Sequence, residues 1–235
     1  MGRAATGRAD AINSLTAEIV ACRACPRLVA WRERVGREKR AAFRDEEYWA
    51  RPVPGFGDPR ARLLVVGLAP AAHGGNRTGR IFTGDRSGDW LFGSLYRTGY
   101  ANQQTSVRAD DGLELRDAYV AAAVRCAPPA NKPAIEERDR CLPYLVRELE
   151  LLERVRVIVV LGKFAYDATA RVLAAGGSPL PSPRPPFGHG VEASSDRATV
   201  LGCYHPSQQN TFTGKLTESM LDAVFNRARV LSADD

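Results

Sequence analysis

The chain of 235 residues contains only five cysteines, three histidines and two methionines. Five cysteines in a chain of this length are too few for the disulfide framework of a secreted protein. The longest apolar runs, near 63–72 and 155–162, are far shorter than a membrane span, and residues 1–10 lack the apolar core of a signal peptide. We therefore expect a soluble, cytoplasmic protein whose cysteines serve metal binding or catalysis.

The composition favours one globular domain with a basic surface. Hydrophobic residues make up 44% of the chain, which suffices for a sizeable core, and neither an internal repeat nor an interdomain linker is evident. We predict a single domain over residues 1–235, with residues 1–11 frayed. The formal net charge of +6 favours a polyanionic partner.

Predicted strands and helices alternate along the chain. Apolar runs predict four strands, at 63–66, 118–124, 155–161 and 198–201. Helices are predicted at 12–34 with a break at Pro26, 32–51, 89–97, 133–154, 163–175 and 217–231. The charged helix over 32–51 is predicted to turn Phe43, Tyr48 and Trp49 inward. This alternation predicts an α/β fold, a mainly parallel four-stranded sheet with helices on both sides.

A long polar loop follows the first predicted strand and ends near Asp89, and it carries His73 and Asp85. Ligands of open α/β sheets bind outside the carboxyl ends of the strands, where this loop is expected to lie. Residues 85–88 also precede a helix, whose N-terminal N–H groups attract anions. We therefore predict a site in this loop. The alternative is a surface loop built of turn-forming residues.

A second polar loop, residues 205–215, follows the last predicted strand. Both loops leave carboxyl ends of strands in one sheet, so we expect them to form one cleft. His73 and His205 each come shortly after a strand, although a histidine in a loop is as often merely solvated. Arg184 and Lys215, together with the loop backbones, are candidates for a track that contacts phosphates.

Four of the five cysteines form a pattern typical of a metal centre. Cys22 and Cys25 are a C-x-x-C pair, and Cys126 and Cys141 follow about a hundred residues later. Four thiolates suit either zinc or an iron–sulfur cluster. The second pair is not a second C-x-x-C, as a zinc ribbon would normally supply, which favours a cluster. The alternative is that the cysteines are small buried hydrophobes, and this is our interpretation of Cys203.

Taken together, the motifs resemble the uracil-DNA glycosylase superfamily, specifically its iron–sulfur family-5 (type B) branch. The resemblance is close and spans nearly the whole chain. Its matching parts, in chain order, are Cys22-x-x-Cys25-Pro26, PGFGDP at 54–59, GLAPA at 67–71, His73-Gly74, NRTGR at 76–80, FTGD at 82–85, RCAPP at 125–129, Asn131, Cys141 and HPS at 205–207. Several independent motifs in the right order are highly specific.

The resemblance implies a three-layer α/β/α sandwich with a central, mainly parallel four-stranded sheet. It also implies a [4Fe–4S] cluster held by Cys22, Cys25, Cys126 and Cys141. The implied activity is hydrolysis of the N-glycosidic bond of uracil, and of other deaminated or damaged bases, in DNA, which leaves an abasic site. The expected partner is uracil-containing DNA, single- or double-stranded, bound by a monomer at the nucleoid of a bacterium or archaeon.

The sequence departs from the related family-4 pattern at two positions. Leu68 stands where those enzymes have a carboxylate, and Ala122 stands where they have a strand asparagine that reads the uracil edge. Asp85 is then the nearest acid to orient water or to stabilise a sugar cation. Loss of the asparagine implies a pocket that tolerates other bases, with Asn131 as a partial substitute.

The resemblance also implies roles for individual residues. The predicted catalytic residues are Asp85, His205 and His73. The predicted substrate-binding residues are Ala69, Phe82, Asn131, Ser207 and Asn210, with Phe82 stacking on the extruded base. The predicted DNA-binding residues are Arg184, Gln209, Phe212 and Lys215, with Phe212 or Gln209 as a wedge in the duplex.

Two rival functions are consistent with part of the pattern. A non-catalytic DNA-binding protein with a cluster or zinc would explain the charge and the cysteines, but it would not need the polar pocket. A metal hydrolase would use His73, Asp85 and His205 as ligands, yet no helix presents an H-x-x-x-H pair.

Overall fold

The computed structural model describes residues 2–233, which contain a six-stranded sheet. Its strands are β1 (Phe56–Gly57), β2 (Leu63–Gly67), β3 (Ala118–Ala122), β4 (Val157–Leu161), β5 (Glu192–Ser194) and β6 (Thr199–Cys203). They lie in the order β1-β3-β2-β4-β6-β5. The four central strands are parallel, and β1 and β5 are antiparallel edges.

The four parallel strands correspond to the four that the apolar runs predict, so the α/β class and the mainly parallel sheet are confirmed. The predicted strand count is wrong, because β1 and β5 add two edges. Both are only two or three residues long and neither is fully buried. Strands this short do not establish a hydrophobic period, so the sequence gives no signal for them.

Helices cover both faces of the sheet. They are α1 (Gly2–Ala21), α2 (Pro26–Glu38), α3 (Gly75–Thr78), α4 (Arg86–Arg97), α5 (Ile135–Leu151), α6 (Lys163–Ala175), α7 (Gln208–Phe212) and α8 (Glu218–Ser232), with 3-10 turns at Ala41–Phe43 and Pro129–Asn131. On one face, Leu63 and Val65 of β2 pack in a core with α4 and α8. On the other, Leu64 and Val66 pack with α1, α5 and α6. This alternation along β2 produces the three layers of the sandwich.

The helix predicted over 32–51 is wrong beyond Glu38. Helix α2 ends there, and Lys39 has a φ of +52°, which a continuing helix does not allow. The following segment packs instead against the loop after β2, because the Ala50 N–H donates to the carbonyl of Asn76. Tyr48 is buried, as predicted, whereas Phe43 and Trp49 are half-buried.

Helix α1 begins inside the segment that the sequence predicts to be frayed. Residue 1 lies outside the described residues, and the backbone is helical from Gly2. Residues 3–11 contain four alanines and two arginines. These residue types favour helix by intrinsic propensity, even without an apolar period. The single-domain organisation stays a prediction.

The carboxyl ends of β2, β3, β4 and β6 lie along one edge of the sheet, because these strands are parallel. The polar loops after β2 and β6 therefore start from the same edge, as the sequence predicts. Strand β4 pairs with both β2 and β6 and separates them. Within residues 2–233, no helix is long and apolar enough to cross a membrane.

Candidate active site

A cleft of about 660 Å³ opens at this edge of the sheet. The loop after β2 contributes Leu68, Ala69, His73, Phe82 and Asp85 to its walls, the loop after β3 contributes Asn131, and the loop after β6 contributes His205, Ser207 and Gln209. The structure thus brings together the three predicted catalytic residues and four of the five predicted substrate-binding residues. Gln209, predicted to contact DNA, also lines this cleft.

Asp85 lines the cleft and also caps the start of a helix. It is the N-cap of α4, where Oδ1 accepts a hydrogen bond of 3.0 Å from the Gly88 N–H. Burial raises the pKa of the Asp85 carboxyl, while the N–H groups of Gly88 and Ser87 oppose that shift. The carboxylate is therefore held by backbone donors in a poorly solvated wall of the cleft. Such an anion is suited to stabilising a positive charge that develops nearby.

His205 faces the cleft from the opposite loop. Burial lowers its pKa to about 4, so the imidazole is neutral at physiological pH. Among the described residues, burial is the cause of that shift, and no charged group contributes to it. The backbone carbonyl of His205 accepts from Asn210 Nδ2 at 2.8 Å and from the Ser207 N–H at 2.8 Å, and these bonds fix the turn.

Phe82 belongs to the loop after β2, and its ring lies next to His205 of the loop after β6. Its ring centroid is 5.9 Å from that of His205, with 35° between the ring planes. Phe82 has a φ of +53°, a conformation that non-glycine residues rarely adopt, and a β-carbon at Gly67 would lie 2.6 Å from the Phe82 ring. Gly67 therefore leaves the space that this ring occupies. Strained backbone of this kind is typical of functional sites.

His73 is the third predicted catalytic residue, and its ring is hydrogen-bonded within the protein. Its Nδ1 is 2.9 Å from the hydroxyl of Tyr48. Burial lowers the pKa of His73, and the positive charges of Arg40 and Arg77 lower it further. A neutral His73 with one nitrogen engaged by Tyr48 has one remaining nitrogen to bind water or substrate.

The polar residues between His73 and Asp85 mostly support the loop itself. Arg77 is buried, donates to the carbonyls of His73 at 2.8 Å and Gly84 at 3.1 Å, and pairs with Glu46. Arg80 is also buried and forms an ion pair of 2.7 Å with Asp111. These two arginines fix the path of the loop, so their charges are not free to bind a ligand.

The two positions that depart from the family-4 pattern differ in surroundings. Leu68 lines the cleft, so an apolar side chain faces the ligand space there. Ala122 is only 1% exposed and packs in the core beneath α4 and α8. Asn131 lies in the cleft wall with a φ of +55°, which is a conformation that asparagine tolerates well. Among the predicted substrate-binding residues that line the cleft, Asn131 is the one with a side-chain amide.

Four predicted residues do not line the cleft. Asn210 supports the His205 turn, as described above. Arg184 pairs with Asp167 at 2.7 Å, and Lys215 lies 4.8 Å from the centroid of the Tyr204 ring. Phe212 is 66% exposed, with the guanidinium of Arg86 4.3 Å from its ring centroid. Because Arg86 lines the cleft, Phe212 projects beside the cleft rim.

Among the wall residues that the sequence interpretation missed, Arg40 and Phe43 lie outside both polar loops. Both lie in the segment 32–51, whose charge pattern indicates a solvated helix rather than a site. Only the break after Glu38 brings them to the cleft. A run of basic residues interrupted by Phe43 was the available signal, because basic side chains interleaved with an aromatic ring are typical of nucleic-acid contacts.

Cys22, Cys25, Cys126 and Cys141 line a second, narrow cavity between α2, α5 and the end of β3. Two nitrogen donors point at sulfur: Arg32 Nη1 is 2.9 Å from Cys126 Sγ, and the Arg125 N–H is 3.3 Å from Cys141 Sγ. Burial raises the pKa of the Cys126 thiol to about 11 and that of Cys141 to about 12. Among residues 2–233, no three potential ligand side chains already have the geometry of a metal site.

Cys203 is fully buried in the core between the sheet and α8, as predicted for a plain core thiol.

The α/β sandwich and its cleft together indicate one class of protein. A comparison with known families identifies the same class. The model of the family described as uracil DNA glycosylase superfamily matches residues 54–229. The chain belongs to the uracil DNA glycosylase superfamily.

Comparison with individual relatives shows which branch of this superfamily the chain resembles. The chain is similar to the type-5 uracil-DNA glycosylase of Mycobacterium leprae, with 53% identity over 97% of this chain and 98% of the relative. It is 51% identical to the type-5 uracil-DNA glycosylase of Thermus thermophilus, over 91% of this chain and 95% of the relative. A type-4 uracil-DNA glycosylase of Archaeoglobus fulgidus is 30% identical over 66% of this chain and 70% of the relative. The predicted resemblance to the type-5 branch is confirmed.

Proposed function

We propose that this protein is a monofunctional uracil-DNA glycosylase, which hydrolyses the N-glycosidic bond of uracil in DNA and leaves an abasic site. One observation carries the proposal: the Asp85 carboxyl, a neutral His205 and the Phe82 ring line the same cleft at the carboxyl edge of the sheet. The type-5 relatives support the same activity by their names. The rival non-catalytic protein has no use for this arrangement.

The target base must leave the duplex before it reaches this cleft, because a stacked base is inaccessible to the side chains. Phe82 offers an aromatic face for the extruded base, next to His205. As the glycosidic bond breaks, the sugar becomes cationic and the base becomes anionic. Interactions that strengthen with these charges lower the barrier, whereas equal binding of substrate and transition state does not.

In this mechanism Asp85 lies on the sugar side, where it stabilises the cation and orients the attacking water. His205 lies on the base side. A neutral imidazole donates an N–H hydrogen bond to a uracil oxygen as negative charge grows there, and it does not need to give up its proton. Water adds to C1′ after the C1′–N1 bond has broken and loses one proton to solvent, and the leaving base anion takes up one proton from solvent. His73 is an alternative residue for positioning the water.

The deciding experiment is a single-turnover assay with a labelled oligonucleotide that contains one uracil. Alkali treatment cleaves the strand only where an abasic site has formed. We expect cleavage after incubation with the native protein, and no strand break before alkali. Tight binding of the oligonucleotide without any base release would refute the proposal in favour of the non-catalytic rival.

The same assay tests the predicted substrate range. We propose that the pocket also accepts other deaminated or damaged bases, since among the described residues β3 contributes no amide to the cleft wall that could read the uracil edge. A site that lacks a specific hydrogen-bonding group discriminates less among related bases. Oligonucleotides with xanthine or hypoxanthine in place of uracil measure this range. Release of uracil alone would argue that Asn131 or the backbone restores the selectivity.

We also propose that Cys22, Cys25, Cys126 and Cys141 hold a [4Fe–4S] cluster. The support is that all four line one cavity and that N–H groups of Arg32 and Arg125 already point at two of the sulfurs, as donors around the ligands of such clusters do. A bound cluster would supply iron–thiolate bonds that tie the segment around Cys22 to the end of β3. The neutral thiols would lose their protons on binding.

Iron and acid-labile sulfide, measured per chain after anaerobic purification, test this assignment. We expect a brown protein with about four of each per chain. Cys126→Ser and Cys141→Ser are expected to lose both together with stability, whereas Cys203→Ser, in the core away from the cavity, is expected to keep the iron. One equivalent of zinc without iron would refute the cluster.

We propose that the protein acts as a monomer on DNA in the cytoplasm. Every group that the mechanism uses belongs to one chain, and the relatives come from bacteria and archaea, whose DNA is cytoplasmic.

A further inference from the structure

Two buried arginines flank the cysteine cavity, and they differ in whether a carboxylate pairs with them. Arg125 is 1% exposed and both of its terminal nitrogens donate to the carboxylate of Glu148. Arg32 is 2% exposed, yet among the described residues no carboxylate lies within ion-pair distance of it. Its neighbour Glu33 pairs instead with Arg23 at 2.6 Å.

The hydrogen bonds of the Arg32 side chain all point toward the cysteine cavity. Its Nη1 donates to Cys126 Sγ at 2.9 Å and its Nη2 to the carbonyl of Cys22 at 3.2 Å. Its Nε is buried and has no partner among the described residues. A buried charge is strongly unfavourable unless an opposite charge compensates it. Neutral thiols do not supply that charge, so the protein without a bound group leaves this guanidinium uncompensated.

We propose that Arg32 is the counter-charge for the iron–sulfur cluster, a positioning residue that holds the Cys126 sulfur and balances the negative charge of the four thiolates. The inference rests on the proposed cluster. Four thiolates outweigh the positive charge of the iron–sulfide core, and the net charge and the hydrogen bonds to sulfur set the potential of such clusters. The guanidinium fork reaches one residue of each cysteine pair, Cys22 and Cys126, so Arg32 also joins the two halves of the ligand set.

The backbone of Arg32 extends this link to the catalytic loop. Its carbonyl accepts a hydrogen bond of 3.2 Å from Asn76 Nδ2, and Asn76 is fully buried three residues after His73. Arg32, which faces the proposed cluster, is therefore hydrogen-bonded directly to the loop that carries His73 and Asp85.

The test compares Arg32→Met, Arg32→Lys and a matched control, Arg197→Met. Arg197 is a half-buried arginine that donates to the carbonyls of Val155, Leu149 and Leu152 and contacts no cysteine among the described residues. Each anaerobically purified protein is exposed to a ferrous chelator, and loss of the visible absorbance gives the rate of iron release. A redox titration of each variant gives the cluster potential.

We expect Arg32→Met to release iron about 10- to 100-fold faster than the native protein, the range typical of changes to groups that hydrogen-bond to metal ligands. Its potential is expected to become more negative, because reduction adds negative charge that the arginine no longer offsets. Arg32→Lys keeps the charge but loses the fork, so its potential is expected to remain near the native value while iron release is accelerated. Arg197→Met is expected to lower thermal stability with a native release rate and potential.

Native release rates and potentials in both Arg32 variants would overturn this inference and leave the cluster assignment intact. Absence of iron from the native protein would overturn the cluster and the inference together. If Arg32→Met does not fold, Arg32→Lys decides the matter, since a native rate of iron release in that variant contradicts the role of the fork.

Discussion

The carboxylate of Asp85 packs directly against the α-carbon of Gly74. A β-carbon at position 74 would lie 2.0 Å from Asp85 Oδ2 and 2.8 Å from its Cγ, closer than non-bonded atoms approach. The absence of a side chain at Gly74 provides the space in which the carboxylate lies. The position of the proposed catalytic acid thus depends on a residue with no chemistry of its own.

This contact predicts that Gly74→Ala disturbs catalysis without changing any functional group. The added methyl must displace Asp85, and a displacement near 1 Å costs on the order of a hundredfold in rate. The measurement is single-turnover excision of uracil. Gly188→Ala is the control, because no atom lies within 4 Å of its added β-carbon. Native rates in Gly74→Ala would indicate that the exact position of Asp85 is unimportant.

Asp85→Asn is expected to slow excision by roughly a hundredfold or more, the scale seen when one preorganised electrostatic group is lost. DNA binding is expected to change much less, because the interaction belongs to the transition state. Asp89→Asn removes a neighbouring carboxylate of α4 that does not line the cleft and serves as the control. Equal rates for Asp85→Asn and the native protein would indicate that His73, rather than Asp85, has the proposed catalytic role.

The same substitution has an expected effect on stability. The raised pKa of Asp85 means that the folded protein holds this proton more tightly than the unfolded chain, so the native protein gains stability as pH falls through that pKa. The ionised Asp85 carboxylate is correspondingly less favourable in the folded protein than in the unfolded chain, so it lowers the stability at pH 7. Asparagine is neutral and remains a good N-cap. Denaturant unfolding at pH 7 is therefore expected to show Asp85→Asn at least as stable as the native protein, and a clear loss of stability would contradict this account of the carboxyl.

His205→Ala is expected to slow release of uracil more than release of 5-fluorouracil. The fluorinated base leaves as a more stable anion and depends less on a hydrogen-bond donor; we expect a loss of roughly a hundredfold for uracil and a smaller loss for the analogue. Since the pKa of His205 is lowered to about 4, its ring is neutral above about pH 5, and its titration should produce no inflection near pH 6.5. His189→Ala, outside the cleft wall, is the control. Equal losses on both bases would exclude a role at the leaving group.

Arg40→Gln is expected to weaken DNA binding and to reduce its salt dependence. Arg40 is exposed in the cleft wall, and one lost phosphate contact lowers the slope of log K against log salt by about 0.9 on duplex DNA. Binding measured between about 50 and 200 mM salt gives this slope. Arg34→Gln, on an arginine that lies near Glu38 on the exposed side of α2, is the control. An unchanged slope in Arg40→Gln would place the phosphates elsewhere, with Arg184 and Lys215 as the next candidates.

The sequence predicts the parallel core because continuous apolar runs and turn residues leave a local signal, as at Leu63–Gly67 and Val157–Leu161. It also predicts Asp85 and His205 as neighbours, since both follow strands whose carboxyl ends share one edge. It does not predict which loop arginines are structural. Arg77 and Arg80 have the composition of ligand-binding residues, and only tertiary contacts with Glu46 and Asp111 reveal their role.

Arg40 illustrates the opposite error. Its local pattern indicates a solvated helix, and the position of Lys39 outside helical φ brings Arg40 to the cleft. A change of direction that depends on long-range packing has no local sequence signal, so residues beyond such a break are the hardest to assign.

Strand β4 lies between β2 and β6 and is followed by Gly162, which has no side chain to project between the loops after those two strands. Neighbouring strands lie about 4.8 Å apart, so the loops that carry Asp85 and His205 start about 10 Å from each other. The width of the floor beneath the cleft is thus set by the backbone hydrogen bonds of the sheet. Substitutions in the loops can alter which base is recognised while the opening between them keeps its breadth, and new specificities can arise in this family without rebuilding the sandwich.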